Sequence, residues 1–134
     1  MELVIGLSLS LVMLTSLLYS SILLKENLER GKVQQLLQME ASAFIHYLER
    51  ELGCTEQVYI SSRRMLFTCK GVLYDYRQSG SSIVREVDSK GWVQVCLHVK
   101  DFQVQPFQKG VVINLWLEKG GIPWKMQTSI SYAR

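Results

Sequence analysis

Between Leu3 and Leu24 there is no charged side chain, although charged residues occupy 20% of the 134 positions. All 15 lysines and arginines lie from Lys25 onward, and the only acid before them is Glu2, so the chain is bipartite. Proline is scarce, with Pro106 and Pro123 the only two, and none interrupts a helix up to Leu52. Three cysteines are too few for a disulfide scaffold and enough for one bridge with one thiol left over. The two histidines, His46 and His98, belong to no H-x-x-x-H spacing, and no C-x-x-C is present to complete a zinc site. A glycine-rich phosphate loop is missing, since Gly120-Gly121 leads into Ile122-Pro123 and not into a helix start, and no nucleophile-elbow pattern occurs. The carboxylates Glu49, Glu51, Glu56, Asp75, Glu86, Asp88, Asp101 and Glu118 all stand in polar, turn-like or alternating contexts, and none is marked out for acid–base work. Repeats and low-complexity tracts are absent too. The expectation is a globular, non-enzymatic protein without metal, cofactor or small-molecule substrate.

What is present begins with the apolar run itself. Leu3 to Leu24 has the length that spans a bilayer core, and its hydroxyls, Ser8 and Thr15 among them, can bond back to the helix backbone. A secretory signal peptide is the rival, but it needs a basic start and a shorter apolar core, and here the start is Met1-Glu2. A transmembrane helix over residues 1–24 is therefore expected. Glu2 stands at its very start, where a carboxylate entering the membrane costs a few kcal/mol unless it snorkels, is protonated or finds a cation. Among side-by-side apolar helices that cation can be a neighbour's α-amino group; a plain interfacial acid is the alternative.

From Lys25 to Leu52, apolar residues recur at Leu37, Ala41, Phe44, Leu48 and Leu52, with Val33, Leu36 and Ile45 widening the stripe. This predicts an amphipathic helix over residues 25–52, continuous with the apolar segment and ended by a left-handed Gly53. Short β-type runs then follow over residues 57–132: Gln57 to Ile60, Met65 to Cys69, Val72 to Tyr76, Ile83 to Val87, a run in which Val93, Val95, Leu97 and Val99 form one apolar face, Phe102 to Gln105 ended by Pro106, Val111 to Glu118, and Trp124 to Tyr132. Short turns between them imply antiparallel hairpins, and the amphipathic half-helix is the only cover in the chain for their apolar face. The fold class is α+β, with a long N-terminal helix and an antiparallel β-sheet in a domain over residues 25–134.

Cys54 at the helix exit and Cys69 at the end of the second run can close a loop of about fifteen residues, worth about 3 kcal/mol in the chain-entropy model, provided the compartment is oxidising. Three reduced thiols remain the alternative. Cys96 falls on the polar face of its run beside His98, but two ligands make no metal site. Trp92, Trp116, Trp124, Tyr74 and Tyr76 suit a core or an interface better than a stacking platform for single strands. The net charge is +3, and the basic residues, interleaved with acids, read as solvated surface.

Met1 to Leu9, Met-Glu-Leu-Val-Ile-Gly-Leu-Ser-Leu, resembles the interior of the class III signal motif of type IV pilins and pseudopilins. In those families a basic leader ending in glycine is cut off, and a glutamate follows a few residues after the new, N-methylated terminus. Glu2 matches that glutamate; the leader, its glycine and the terminal aromatic have no counterpart here, so the resemblance implies a cut upstream of Glu2. The pair Cys54 and Cys69, the strand region around Trp92 and the length are similar to the ComGF family, minor pseudopilins of the Gram-positive competence machinery for DNA uptake. The resemblance implies a pilin-like fold and a Cys54–Cys69 disulfide. It also implies an assembly role for Glu2, and partners among other minor pseudopilins and the major pseudopilin. The location would be a single-pass cell membrane protein with its C-terminal domain outside, at the cell surface once assembled in a filament, with any DNA contact weak or indirect. The alternatives are a minor pseudopilin of a type II secretion-like system and a bitopic membrane protein whose β domain binds a ligand.

Overall fold

A computed structural model describes residues 1–132 of the chain. Helix α1 (Glu2–Leu52) is followed by β1 (Gln57–Ser61), β2 (Arg64–Cys69), β3 (Val72–Ser79), β4 (Ser82–Val87), β5 (Trp92–Cys96), β6 (Val99–Phe107), β7 (Gly110–Lys119) and β8 (Ile122–Ser131). This is the expected α+β class: one long helix, apolar in its first half, and antiparallel β-structure after it.

The chain divides into two compact units, Met1–Val33 and the part from Gln34 onward. The first unit is helix alone. Its large apolar side chains, from Leu3 through Leu28, are all exposed. The Ser8 hydroxyl donates to the Val4 carbonyl at 2.9 Å and that of Thr15 to those of Leu11 and Val12 at 3.1 and 2.9 Å, so these hydroxyls are satisfied by the helix itself.

In the second unit, Leu37, Ala41, Phe44, Ile45, Leu48 and Leu52 are buried, the stripe that the helical period demands. Leu36 belongs to the expected stripe but stays largely exposed. The helix end differs from expectation. Gly53 is not left-handed, and its N–H still reaches the Glu49 carbonyl at 3.1 Å. The chain is turned instead by Cys54 N–H to Glu51 O and Thr55 N–H to Leu52 O, the tightened last turn that satisfies terminal carbonyls.

The β-structure forms two antiparallel sheets where one was expected, a five-stranded sheet in the order β1-β2-β3-β4-β5 and a three-stranded sheet β6-β7-β8. Two-residue turns set the hairpins: Lys70-Gly71 joins β2 to β3 and Gly120-Gly121 joins β7 to β8, with φ positive at all four residues, as type I′ turns require. The last turn is tighter than the expected loop, and β8 starts at Ile122 with Pro123 opposite Glu118. Likewise β6 runs through Pro106, opposite Val111; as the edge strand of its sheet it tolerates the missing N–H. Phe44 joins helix and sheets, its ring 5.9 Å edge-on from Phe102 of β6 and 6.2 Å from Tyr76 of β3. Tyr76 in turn stacks on Phe67 of β2 at 5.6 Å.

The run around Val93 corrects the sequence reading most sharply. Val93, Val95, Leu97 and Val99 do not line one strand: His98 is left-handed, with φ 60°, and splits the run into β5 and β6. Against β4, Val84 pairs with Gln94 while Ile83 pairs with Cys96, so Val95 is bulged out and the alternation slips by one residue. Cys96, expected on the polar face, is 0% exposed, whereas Val93 is 60% and Leu97 42% exposed.

Candidate functional site

The largest unsatisfied surface is the apolar half of α1. It is long and apolar enough to cross a membrane, and none of its apolar window is buried within the chain. Each Leu, Ile or Val side chain left in water forgoes about 1.5–3 kcal/mol of burial, so a surface of this extent fits a single-pass membrane anchor. Glu2 is exposed in the first turn, where the positive end of the helix dipole favours a carboxylate. Among the described residues it makes no ion pair within the chain.

Cys54 and Cys69 are joined by a disulfide, with their Cα atoms 5.5 Å apart. The bond fastens the second residue after the helix to the end of β2. A second fastening, which sequence reasoning missed, lies just before it. The Glu51 carboxylate accepts the Tyr76 hydroxyl at 2.7 Å and pairs with Arg85 of β4. Arg85 in turn lies 5.4 Å from the Tyr47 ring centroid and 5.1 Å from that of Tyr74, a cation held between two aromatic faces. Burial, then the Glu51 hydrogen bond and charge, push the Tyr76 hydroxyl far above its usual range. A signal was available: Glu51 lies two turns after Phe44 and thus on the buried face of the helix, where a carboxylate needs a partner.

The outward face of the five-stranded sheet carries a cluster of mutually paired charges. Arg64 grips Asp75 with two hydrogen bonds at 3.0 and 2.7 Å, and Arg77 bridges Asp75 at 2.9 Å and Glu86 at 3.2 Å. The Asp75 side chain is only 6% exposed. The expectation that the basic residues are solvated surface interleaved with acids holds for Arg64, which is half exposed, whereas Arg77 and above all Arg85 are drawn further into the structure.

The Cys96 thiol faces the interior, and burial followed by the Glu40 carboxylate pushes its pKa up to about 12. It stays protonated at neutral pH and is no nucleophile. Glu40 instead accepts the backbone N–H of Leu97 at 2.9 Å, capping the break after β5. His98 lies beyond that break, so the strand geometry that would place it beside Cys96 does not exist. Among the described residues no group of three histidine, cysteine or carboxylate side chains is assembled for a metal. Compared with known proteins, the chain matches no family model, no curated protein and no solved structure.

Proposed function

We propose that this protein is a minor pseudopilin of the competence machinery for DNA uptake, a structural subunit that helps to build a short pilus-like filament. The observation that carries this reading is a single helix used in two ways. Its first half is apolar on every side and uncovered; its second half buries one stripe beneath β-structure. A membrane anchor alone needs the first half; a subunit that leaves the membrane for a filament needs a segment that packs equally well against lipid and against neighbouring helices. Glu2 supports the filament reading, because a carboxylate at the start of such a segment is best neutralised by the α-amino group of an adjacent subunit. The resemblance of Met1 to Leu9 to the pilin signal motif, and of the Cys54 and Cys69 pair to the ComGF family, supplies the particular machinery. In this role the protein needs no catalytic group: its work is to join partner pseudopilins through the helix and through the β surfaces.

The test is Glu2→Ala in a transformable cell. The variant should accumulate with its disulfide formed and its β domain folded, and transformation should be abolished. Normal transformation in that strain removes Glu2 from assembly. Crosslinking in cells then separates a filament subunit from a bitopic receptor, since only the former is captured with other pseudopilins.

A further inference from the structure

The outward face of β6-β7-β8 differs from that of the larger sheet in carrying, beside a few charged side chains, a row of neutral polar groups that are largely unspent. Gln103, Asn114 and Gln127 lie directly opposite one another across the three strands. They form a row of primary amides at steps of about 4.8 Å. Among the described residues, Asn114 and Gln127 make no side-chain hydrogen bond, while Gln103 gives one N–H to Asp101 at 3.1 Å and keeps its carbonyl free. The adjacent row is Asp101, Trp116 and Lys125. Together these residues line an open cleft of about 390 Å³, within the size range of small-ligand sites.

Charge limits what the cleft accepts. Asp101 is paired with Arg63 at 3.6 Å and Lys100 with Glu118 at 2.8 Å, so among the described residues that line the cleft Lys125 is the one cation outside an ion pair, facing one lining carboxylate. A polyanion demands several unpaired cations along its backbone, and they are not provided. Base stacking is disfavoured too, because the Trp116 ring is already taken: the Lys100 and Lys125 ammonium groups lie 4.4 and 4.1 Å from its centroid. An extended peptide would want a free strand edge or apolar pockets, whereas the amide row runs across a sheet face. A primary amide offers two donors and an acceptor that takes two more bonds, the complement of a hydroxyl, which donates once and accepts twice. Three amides spaced by roughly the width of a pyranose ring therefore match a neutral, hydroxyl-rich chain.

We propose that this face is a binding site for a neutral oligosaccharide, held by Gln103, Asn114 and Gln127 beside the clamped Trp116. The assignment does not depend on the filament reading; a plain membrane-anchored protein would carry the same site.

The experiment is calorimetric titration of the full chain, in a polyoxyethylene detergent that carries no sugar headgroup, with cellotetraose and with tetra-N-acetylchitotetraose. Saturable binding of at least one is expected. Asn114→Ala and Gln127→Ala should each weaken it about fivefold, the worth of one hydrogen bond, and Tyr59→Ser on the other sheet should leave it unchanged. Asn114→Asp and Gln127→Glu, close to isosteric, guard against a folding defect and should weaken binding similarly. The proposal is overturned if neither tetrasaccharide binds, if binding survives all four amide substitutions, or if a dT oligonucleotide or an acidic peptide binds at these amides and the sugars do not.

Discussion

Replacing Glu51 with alanine tests whether a polar cluster, in addition to apolar packing, secures the helix to the five-stranded sheet. The side chains of Glu51 and Arg85 are 13% and 19% exposed, so most of their hydration is lost on folding. Removing one partner of a buried pair typically costs 3–5 kcal/mol. Two features of the site place this case near the lower bound. Arg85 keeps the Tyr47 and Tyr74 faces, and its remaining exposure admits water. The Tyr76 hydroxyl loses its acceptor, a charge-assisted bond worth about 1.5–3 kcal/mol, which is already counted in part within that cost. The expected loss is about 3 kcal/mol for Glu51→Ala and about 1.5 kcal/mol for Tyr76→Phe, with the double variant falling short of the sum by about 1 kcal/mol because the two share one bond. The assay is urea unfolding of the full chain in detergent, followed by tryptophan fluorescence. Trp92, Trp116 and Trp124 all lie beyond Gly53, so the signal reports the β domain and not the apolar helix. A loss below 1 kcal/mol for Glu51→Ala, or strict additivity with Tyr76→Phe, would refute the reasoning and reduce the cluster to a surface contact.

Reduction of the Cys54–Cys69 bond, or Cys69→Ser, should cost about 3 kcal/mol. Alkylation followed by intact mass should count no modified cysteine in the native protein, one after unfolding and three after unfolding with reductant; any other series contradicts the pairing. Alkali should destabilise the domain: the folded state holds the Cys96 proton up to about pH 12, while the unfolded thiol releases it near 8.5. Stability is therefore full below about pH 8.5 and falls as pH rises toward 12. Cys96→Ala should flatten that decline, leaving the contribution of Tyr76, also raised on folding, which begins near pH 10. Gly110→Ala should lower the unfolding midpoint by several degrees, equivalent to about 2 kcal/mol, because a Cβ there runs into the Ile130 carbonyl oxygen; an unchanged midpoint would show that β7 and β8 part freely at that end.

The elements that announce themselves in the sequence are those whose side chains repeat with a single period. Leu37, Ala41, Phe44, Leu48 and Leu52 fix the buried face of α1 because the 3.6-residue repeat runs unbroken. Residues 93–99 mislead for the converse reason: a perfect alternation of period two overlies a backbone that bulges at Val95 and turns left-handed at His98, and neither event leaves a glycine or proline behind as a marker. The Glu51 cluster was partly legible, since the helical repeat places that carboxylate on the buried face, but its partner Arg85 is fixed only by the register of β3 on β4. The amide row was not legible at all. Gln103, Asn114 and Gln127 are unremarkable one by one, and become a site only through the pairing of three strands.

The disulfide also sets how a mechanical load would travel through the molecule. Tension applied along α1 reaches residue 54 and there meets a covalent branch into Cys69. The pull therefore passes directly to the last residue of β2 and the tight turn into β3, while the stretch between the two cysteines, which holds all of β1 and β2 up to Thr68, lies off the covalent line of load. A molecule pulled by its helix would thus transmit force into the β2–β3 turn without drawing first on the pairing of the edge strand β1.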